Sequence, residues 1–194
     1  MSDSLITKKA IASGIKELTK KKNFDKITVS DITEICGLNR QTFYYHFQDK
    51  YELVNWIYYN EAISLVTKDL TYDNCGEKVH LMLSQMKSED YFYVNTLKAS
   101  VQNEFEAYLF KVIRELFCDI IEKIAGENKM EVSEVRFIAE FYAYGTVGLI
   151  VAWAQNGMKE TPEYLTTLLR NLAYGTEMFA TARYQEKNSN GQLS

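Results

Sequence analysis

The chain has 194 residues, 46% of them apolar and 25% charged, a mix that fits a folded chain with a sizeable core and excludes a disordered one. A single proline, Pro162, and nine glycines are too few turn residues for a strand-rich fold, so long helices are expected throughout. The formal net charge of −4 divides unevenly: residues 1–50 carry +3 and the remainder −7, which points to a polyanion at one end or to chance clustering around Lys20-Lys21-Lys22.

Ile11, Ile15 and Leu18 recur at helical spacing and predict a first helix over 4–22. The three lysines would close it at the negative end of its dipole, and Asn23 suits a C-terminal cap. Thr28-Val29-Ser30-Asp31 has the form of a capping box and opens a second helix over 29–36, with Ile32 and Ile35 inward. Gly37 permits the left-handed backbone that ends it, and Asn39 caps a third helix over 39–46, with Leu38 and Phe43 placed as a hydrophobic staple. Two short helices joined by a glycine-containing turn have helix-turn-helix spacing. Asp49-Lys50-Tyr51-Glu52 begins a fourth helix that would run to about 70, with Leu53, Trp56, Ile57 and Asn60 as its inward stripe. Further helices are expected over 74–88, 90–99, 102–126, 131–156 and 161–184, followed by a polar tail from Glu186.

The third helix carries the most information. Phe43 and Phe47, four apart, share one face. Gln41 and Tyr45 point the opposite way, flanked by Thr42 and Tyr44, with Arg40 near the start. A solvated helix face more often carries Glu and Lys pairs. Gln, Arg and Thr can bond base edges, and tyrosine can reach a thymine methyl or a phosphate, so this face fits a DNA major groove. Lys50, in the next first turn, sits beside backbone N–H groups that could also hold a phosphate.

The run Ile27-Thr28-Val29-Ser30-Asp31-Ile32, then Cys36 through Leu53 with Tyr44-Tyr45-His46-Phe47, Lys50 and Leu53 in register, closely resembles the DNA-binding signature of the TetR family. Asn39-Arg40-Gln41-Thr42-Phe43-Tyr44 is similar to the subgroup that includes activators of dihydroxyacetone kinase operons. The resemblance implies an all-α homodimer with an N-terminal helix-turn-helix head, a larger helical body for a ligand or partner, and double-stranded DNA as target. It implies phosphate contacts for Thr28 and Lys50 and base reading by Arg40, Gln41, Thr42 and Tyr45. Tyr44 and His46 would lie near the DNA backbone, and Phe43, Phe47 and Leu53 in the core. With the cap Asn39, these make up the candidate DNA-binding set. Ile35-Cys36 departs from the family, where small alanines are commoner. The expected division is a head over 1–49 and a regulatory and dimerisation body over 50–194, with 50–70 as connecting helix.

In the body, Val135 to Ala154 holds 15 apolar residues among 20, plus Gly145 and Gly148. A helix apolar nearly all round must be covered nearly all round, either centrally or in a subunit interface. Gly157 would end it and Thr161-Pro162-Glu163 would start the next, making a helical hairpin. The resemblance implies dimerisation through that pair, with Tyr142, Thr146, Leu149, Trp153, Leu165, Leu168 and Leu172 as candidate interface residues; the alternative is that both helices build the monomer's core. Body aromatics could line an effector pocket, with Tyr91, Phe105, Tyr108, Phe117, Phe141 and Tyr144 as candidates against ordinary core packing. Tyr91-Phe92-Tyr93 cannot all face inward on one helix side, so that helix is sandwiched or presents a patch to a partner protein.

Cys36, Cys75 and Cys118 are far apart and odd in number, with no Cys-x-x-Cys pair, which favours a reducing compartment over a disulfide framework. No basic leader is visible, and the longest charge-free apolar stretch, Phe141 to Ala154, has 14 residues where a membrane span needs roughly 20. A cytoplasmic protein with no membrane partner is expected. His46 and His80 are the two histidines; Cys75 and His80 lack a third metal ligand nearby, and no nucleophile-elbow, phosphate-loop or dinucleotide motif occurs, so no cofactor, metal or enzymatic activity is expected. The leading expectation is a sequence-specific DNA-binding regulator modulated by an effector. The second is a DNA-tethered module whose body binds a partner protein, and an all-α enzyme has no supporting motif.

Overall fold

The computed structural model describes residues 3–71, 73–98, 102–125 and 130–172, and the described residues contain helices and no strand. The head comprises α1 (Asp3–Thr19), a 3-10 turn (Phe24–Lys26), α2 (Val29–Ile35) and α3 (Arg40–His46). The connecting helix is α4 (Lys50–Ile57), a π-turn (Tyr58–Ile63) and α5 (Ser64–Thr67). The body holds α6 (Cys75–Ser88), α7 (Asp90–Leu97), α8 (Gln102–Ala125), α9 (Val132–Gln155) and a helix, α10, over 162–172. The expected last helix beyond 172 and the polar tail lie outside the described residues.

Local chemistry sets the head. The Thr28–Asp31 capping box is complete, Asn39 Oδ1 accepts from Thr42 N at 2.7 Å, and Asp49 Oδ1 accepts from Tyr51 N and Glu52 N, both at 2.8 Å. Gly37 takes φ +63° and ends α2. Helix α1 stops at Thr19 rather than 22, and Asn23 precedes the 3-10 turn instead of capping α1. Helix α1 crosses α2 at Gly14, where a Cβ would come 2.3 Å from Cys36 Sγ. The sulfur thus fills the place a smaller residue would leave open. Ile35, expected inward, is 42% exposed at the margin of this crossing.

The connecting helix is not regular. One extra residue in the π-turn rotates everything after it. Asn60, expected inward, is exposed, and Tyr58, Ala62, Ile63 and Val66 face the core instead. Tyr58 is fully buried among the rings of Phe92, Tyr93 and Phe105, with centroids 5.0–6.0 Å away. Its hydroxyl donates to Thr96 Oγ1 at 2.6 Å, and burial holds the phenol well above its ordinary pKa.

Helix α7 is sandwiched between α1 and α9. Phe92 and Tyr93 are buried and Tyr91 is half-buried beneath the Lys20 ammonium, 4.8 Å from its ring, so the 91–93 triplet presents no exposed patch. Lys16 of α1 joins head to body by pairing with Glu61 of the π-turn and, at 2.7 Å, with Glu89 between α6 and α7. Helix α9 has the length and apolarity of a membrane-crossing helix. It packs on α8 and α7, burying Val135, Ala139, Ala143, Val147 and Ile150, and among the described residues nothing covers its other side.

Tyr58→Phe removes one fully buried hydrogen bond and leaves the ring cluster intact. It should lower stability by about 1 kcal/mol in denaturant titrations, with an unchanged slope.

Candidate nucleic-acid interface and regulatory cavity

Burial of Phe43 and Phe47, 0% and 2% exposed with centroids 5.9 Å apart, fixes the rotation of α3. Phe47 also meets the Trp56 ring at 6.0 Å. The opposite face follows: Gln41 is exposed and Tyr45 is 82% exposed. Arg40 and Tyr44 flank them, the guanidinium 3.4 Å from the Tyr44 hydroxyl and 5.9 Å from its ring. Thr42 is half-buried and its hydroxyl donates to Asn39 Oδ1 at 3.0 Å, which leaves oxygen lone pairs for an incoming donor. Asn39 spends its side chain on the cap. His46 is half-buried with its ring edge-on to Tyr45 at 4.9 Å.

Thr28 stands exposed at the start of α2. Its hydroxyl donates to Asp31 Oδ2 at 2.7 Å and accepts from Asp31 N at 3.2 Å. The Lys22 ammonium, 2.7 Å from the same carboxylate, together with the Thr28 backbone N–H and hydroxyl, lowers Asp31 to about 2.

Lys50, expected at a phosphate, is engaged within the head. Its ammonium donates to the carbonyls of Phe24, Asp25 and Ile27 at 2.9, 3.2 and 2.9 Å. Its three N–H bonds meet three backbone acceptors. The Phe24 and Tyr51 rings cover it at 4.4 and 5.4 Å, and burial lowers its pKa. Lys50 thereby ties the start of α4 to the 3-10 turn.

A cavity of about 520 Å³ opens between α6, α8, α9 and α10. Of the expected pocket residues it contains Phe117 alone. Phe105 is core, packed on Tyr58; Tyr108 is exposed beside Tyr59; Tyr91 lies at the head contact; Phe141 and Tyr144 are each 68% exposed. Aromatic content marks these side chains as large, not as facing one space. The cavity wall instead joins Ile113, Leu116 and Ile120 of α8 to Val79 of α6 and Leu169 of α10. Asp73, Glu77, His80, Arg170, Thr146 and Thr166 supply the polar points, and the Thr166 hydroxyl is buried with no hydrogen-bond partner. Spacing along single helices carries no signal for a wall assembled from four.

The expected interface residues also divide. Leu149, Leu168 and Leu172 are exposed. Trp153 and Leu165 are core, the indole N–H donating to Glu160 O at 3.1 Å. Tyr142 stacks on Phe117 at 5.2 Å and Thr146 lines the cavity, so neither is on the open face. Phe137, Phe141, Tyr144, Gly145, Gly148 and Ala152 lie there instead.

An exposed recognition helix on a helix-turn-helix head, set on a helical body with a cavity, defines a DNA-binding regulator. Residues 11–57 match the family model described as bacterial regulatory proteins, tetR family, and residues 73–175, more than half the chain, match the model described as transcriptional regulator C-terminal region. The chain belongs to the TetR family of transcriptional regulators, which are DNA-binding proteins and not enzymes.

It is 34% identical over 93 residues to the HTH-type dhaKLM operon transcriptional activator DhaS of Lactococcus lactis subsp. lactis (strain IL1403), a match covering 48% of this chain and 50% of that protein. The chain thus spans about half the length of this curated relative. That relative belongs by name to the subgroup that residues 39–44 resemble. The solved dihydroxyacetone kinase operon activator DhaS superposes with a TM-score of 0.72 at 24% identity, over 90% of this chain and 98% of that one. NalD, the secondary repressor of the MexAB-OprM multidrug efflux pump in Pseudomonas aeruginosa, gives 0.63 at 20% identity, over 89% and 96%. At these identities the shared property is the fold.

Lys50→Met leaves three carbonyls without their shared donor. It should cost about 1–2 kcal/mol in denaturant titrations. At temperatures where the variant is folded, the salt dependence of its DNA affinity should match wild type, whereas loss of a direct phosphate contact would lower that slope by roughly one.

Proposed function

We propose that the chain acts as a symmetric dimer that reads a pseudo-palindromic operator with two α3 helices and is modulated by a small molecule in the body cavity. The observation that carries the DNA reading is the outward Gln41–Tyr45 ridge, held by the buried Phe43–Phe47 pair. Glutamine offers a bidentate match to adenine, and tyrosine an apolar edge with a polar tip. Two such helices suit half-sites about 34–36 Å apart on one face of the duplex.

The open side of α9 supports the dimer. Phe137, Phe141, Tyr144, Gly145, Gly148 and Ala152 fall within one stripe at 100° per residue, beside Leu168 and Leu172 of α10. A Cβ at Gly145 or Gly148 would meet nothing within 4 Å. Within one chain these glycines therefore weaken a helix by about 1 kcal/mol each with no packing return. Against a second copy they allow close approach under the neighbouring aromatic rings, and self-complementary closure is the common solution.

The cavity suits a ligand of ordinary metabolite size. Its aliphatic and Phe117 floor favours an apolar body, and the unpartnered Thr166 hydroxyl favours one hydrogen-bonding group on that ligand. Burial of Phe92 and Tyr93 removes one of two features that suggested a partner protein, the other being the subgroup likeness of residues 39–44. Activation or repression follows from where an operator lies relative to its promoter; the relatives include one activator and one repressor by name.

Selection from randomised duplex by mobility shift should return a two-fold symmetric site. Gln41→Ala should change the preferred base at one or two positions per half-site, by about 1–3 kcal/mol of discrimination. A wild-type chain that retains no duplex, or a variant with unchanged preference, would refute the assignment of α3.

Gly148→Leu separates the interface from the monomer by sign. It should stabilise an isolated helix yet convert a dimer to monomer in light scattering. A monomeric wild type, or a variant that remains dimeric, counts against this face.

A further inference from the structure

The segment joining α1 to α2 places Thr28 and hence the start of the helix-turn-helix. It is held from one side by Lys50, as described, and from the other by the body, where Lys20 lies over the Tyr91 ring and one side chain makes three hydrogen bonds to the segment. Asn95, on α7, accepts from Phe24 N at 2.8 Å and donates to the carbonyls of Thr19 and Lys22, each at 3.1 Å. The amide thereby uses its oxygen and both of its N–H bonds on the head. Thr19 O is a carbonyl that the end of α1 leaves without an intrahelical partner, and Lys22 O belongs to the segment that follows; capping such groups is usually a task of the residues next to the helix. Here Asn23 does not perform it, and the cap comes from a residue more than seventy positions away.

Helix α7 is in turn fixed to the body. The Gln155 side-chain amide of α9 donates to Leu97 O at the far end of α7, at 3.0 Å. Phe92 and Tyr93 lock its face against Tyr58. A continuous set of directional contacts therefore runs from α9 through α7 and Asn95 to residues 19–24 of the head. Lys16 adds a charged tie at Glu61 and Glu89, but long charged side chains tolerate small rotations better than three short amide bonds do.

We propose that Asn95 is a positioning residue for DNA reading: it fixes the angle between body and head, and so the half-site spacing that a dimer accepts. This rests on the dimeric operator reading above. Asn95 touches no base; its variants should alter which spacing is read and leave which bases are read unchanged.

The test uses the full-length chain and the duplex it selects, as selected and with one or two base pairs inserted between half-sites. Wild type should prefer the selected spacing. Asn95→Ala should reduce that preference at least fivefold, keep the base preference within each half-site, and raise amide exchange at residues 20–27 but not at 40–46. Asn95→Asp keeps the side-chain shape and the acceptor for Phe24 N but sets a carboxylate against two carbonyls, so its preference should fall at least as far. Should Asn95→Ala fail to fold, this near-isosteric variant carries the test. Wild-type spacing ratios in a folded variant overturn the assignment, and so does a uniform loss on every duplex, which marks a merely structural role. A wild type that retains duplex with a spacing preference while the variants keep it overturns this inference alone; a wild type that retains no duplex overturns the operator reading along with it.

Discussion

The head depends on the burial of two phenylalanines one helical turn apart. Helix α3 has seven residues, too few to persist on propensity alone. It exists because Phe43 and Phe47 remove their rings from water, which is worth about 1.5–3 kcal/mol each. Once both rings are inside, the remaining side chains have no rotational choice. Gln41 and Tyr45 must stand outward, and Arg40 and Tyr44 must flank them. A reading surface is thus produced by a packing constraint, and the residues that read can vary without disturbing the residues that hold.

Lys50 illustrates the limit of carrying a role from motif to structure. In an extended sequence its position beside an N-terminus suits a phosphate. In the folded chain the 3-10 turn at Phe24–Lys26 brings three carbonyls into reach of one ammonium. An ammonium covered by Phe24 and Tyr51 needs all three acceptors to offset its lost hydration. That convergence of backbone groups is one that no side-chain pattern records. Lys21, Lys26 and Arg40 stand exposed on the same head.

What was legible in the sequence was local. The Thr28–Asp31 box, the Asn39 and Asp49 caps, the Gly37 stop and the Phe43–Phe47 spacing each depend on residues within four positions of one another, and each is present. What was not legible depends on a second element. Ile35 shares the crossing at Gly14 with Cys36 and stays 42% exposed at its margin. Asn60 is exposed because the π-turn inserts a residue that a regular 3.6 period does not contain. The cavity escaped because aromatic residues were expected to line it, whereas aliphatic side chains from separate helices do so and the aromatic ones divide between core and open face. Asn95 had no signal at all, since a lone asparagine within a helix carries no pattern until its partners are brought to it.

Helix α9 joins these observations. Its apolarity resembles that of a helix with no wet side, but the residues separate into two sets with different sizes. The inward set packs on α8 with alanine, valine and isoleucine at close spacing, while the outward set pairs large aromatic rings with glycines that fill nothing in one chain. A helix serving only as core has no reason to keep glycine where there is empty space. The same helix lines the cavity through Thr146 and grips α7 through Gln155. Helix α6 makes a parallel connection: its first turns line the cavity at Cys75–His80, and its other end, about 20 Å away at 1.5 Å per residue, adjoins the Glu89 that pairs with Lys16. Two rigid helices therefore share one cavity wall and each ends on a contact with the head or with the helix that holds it.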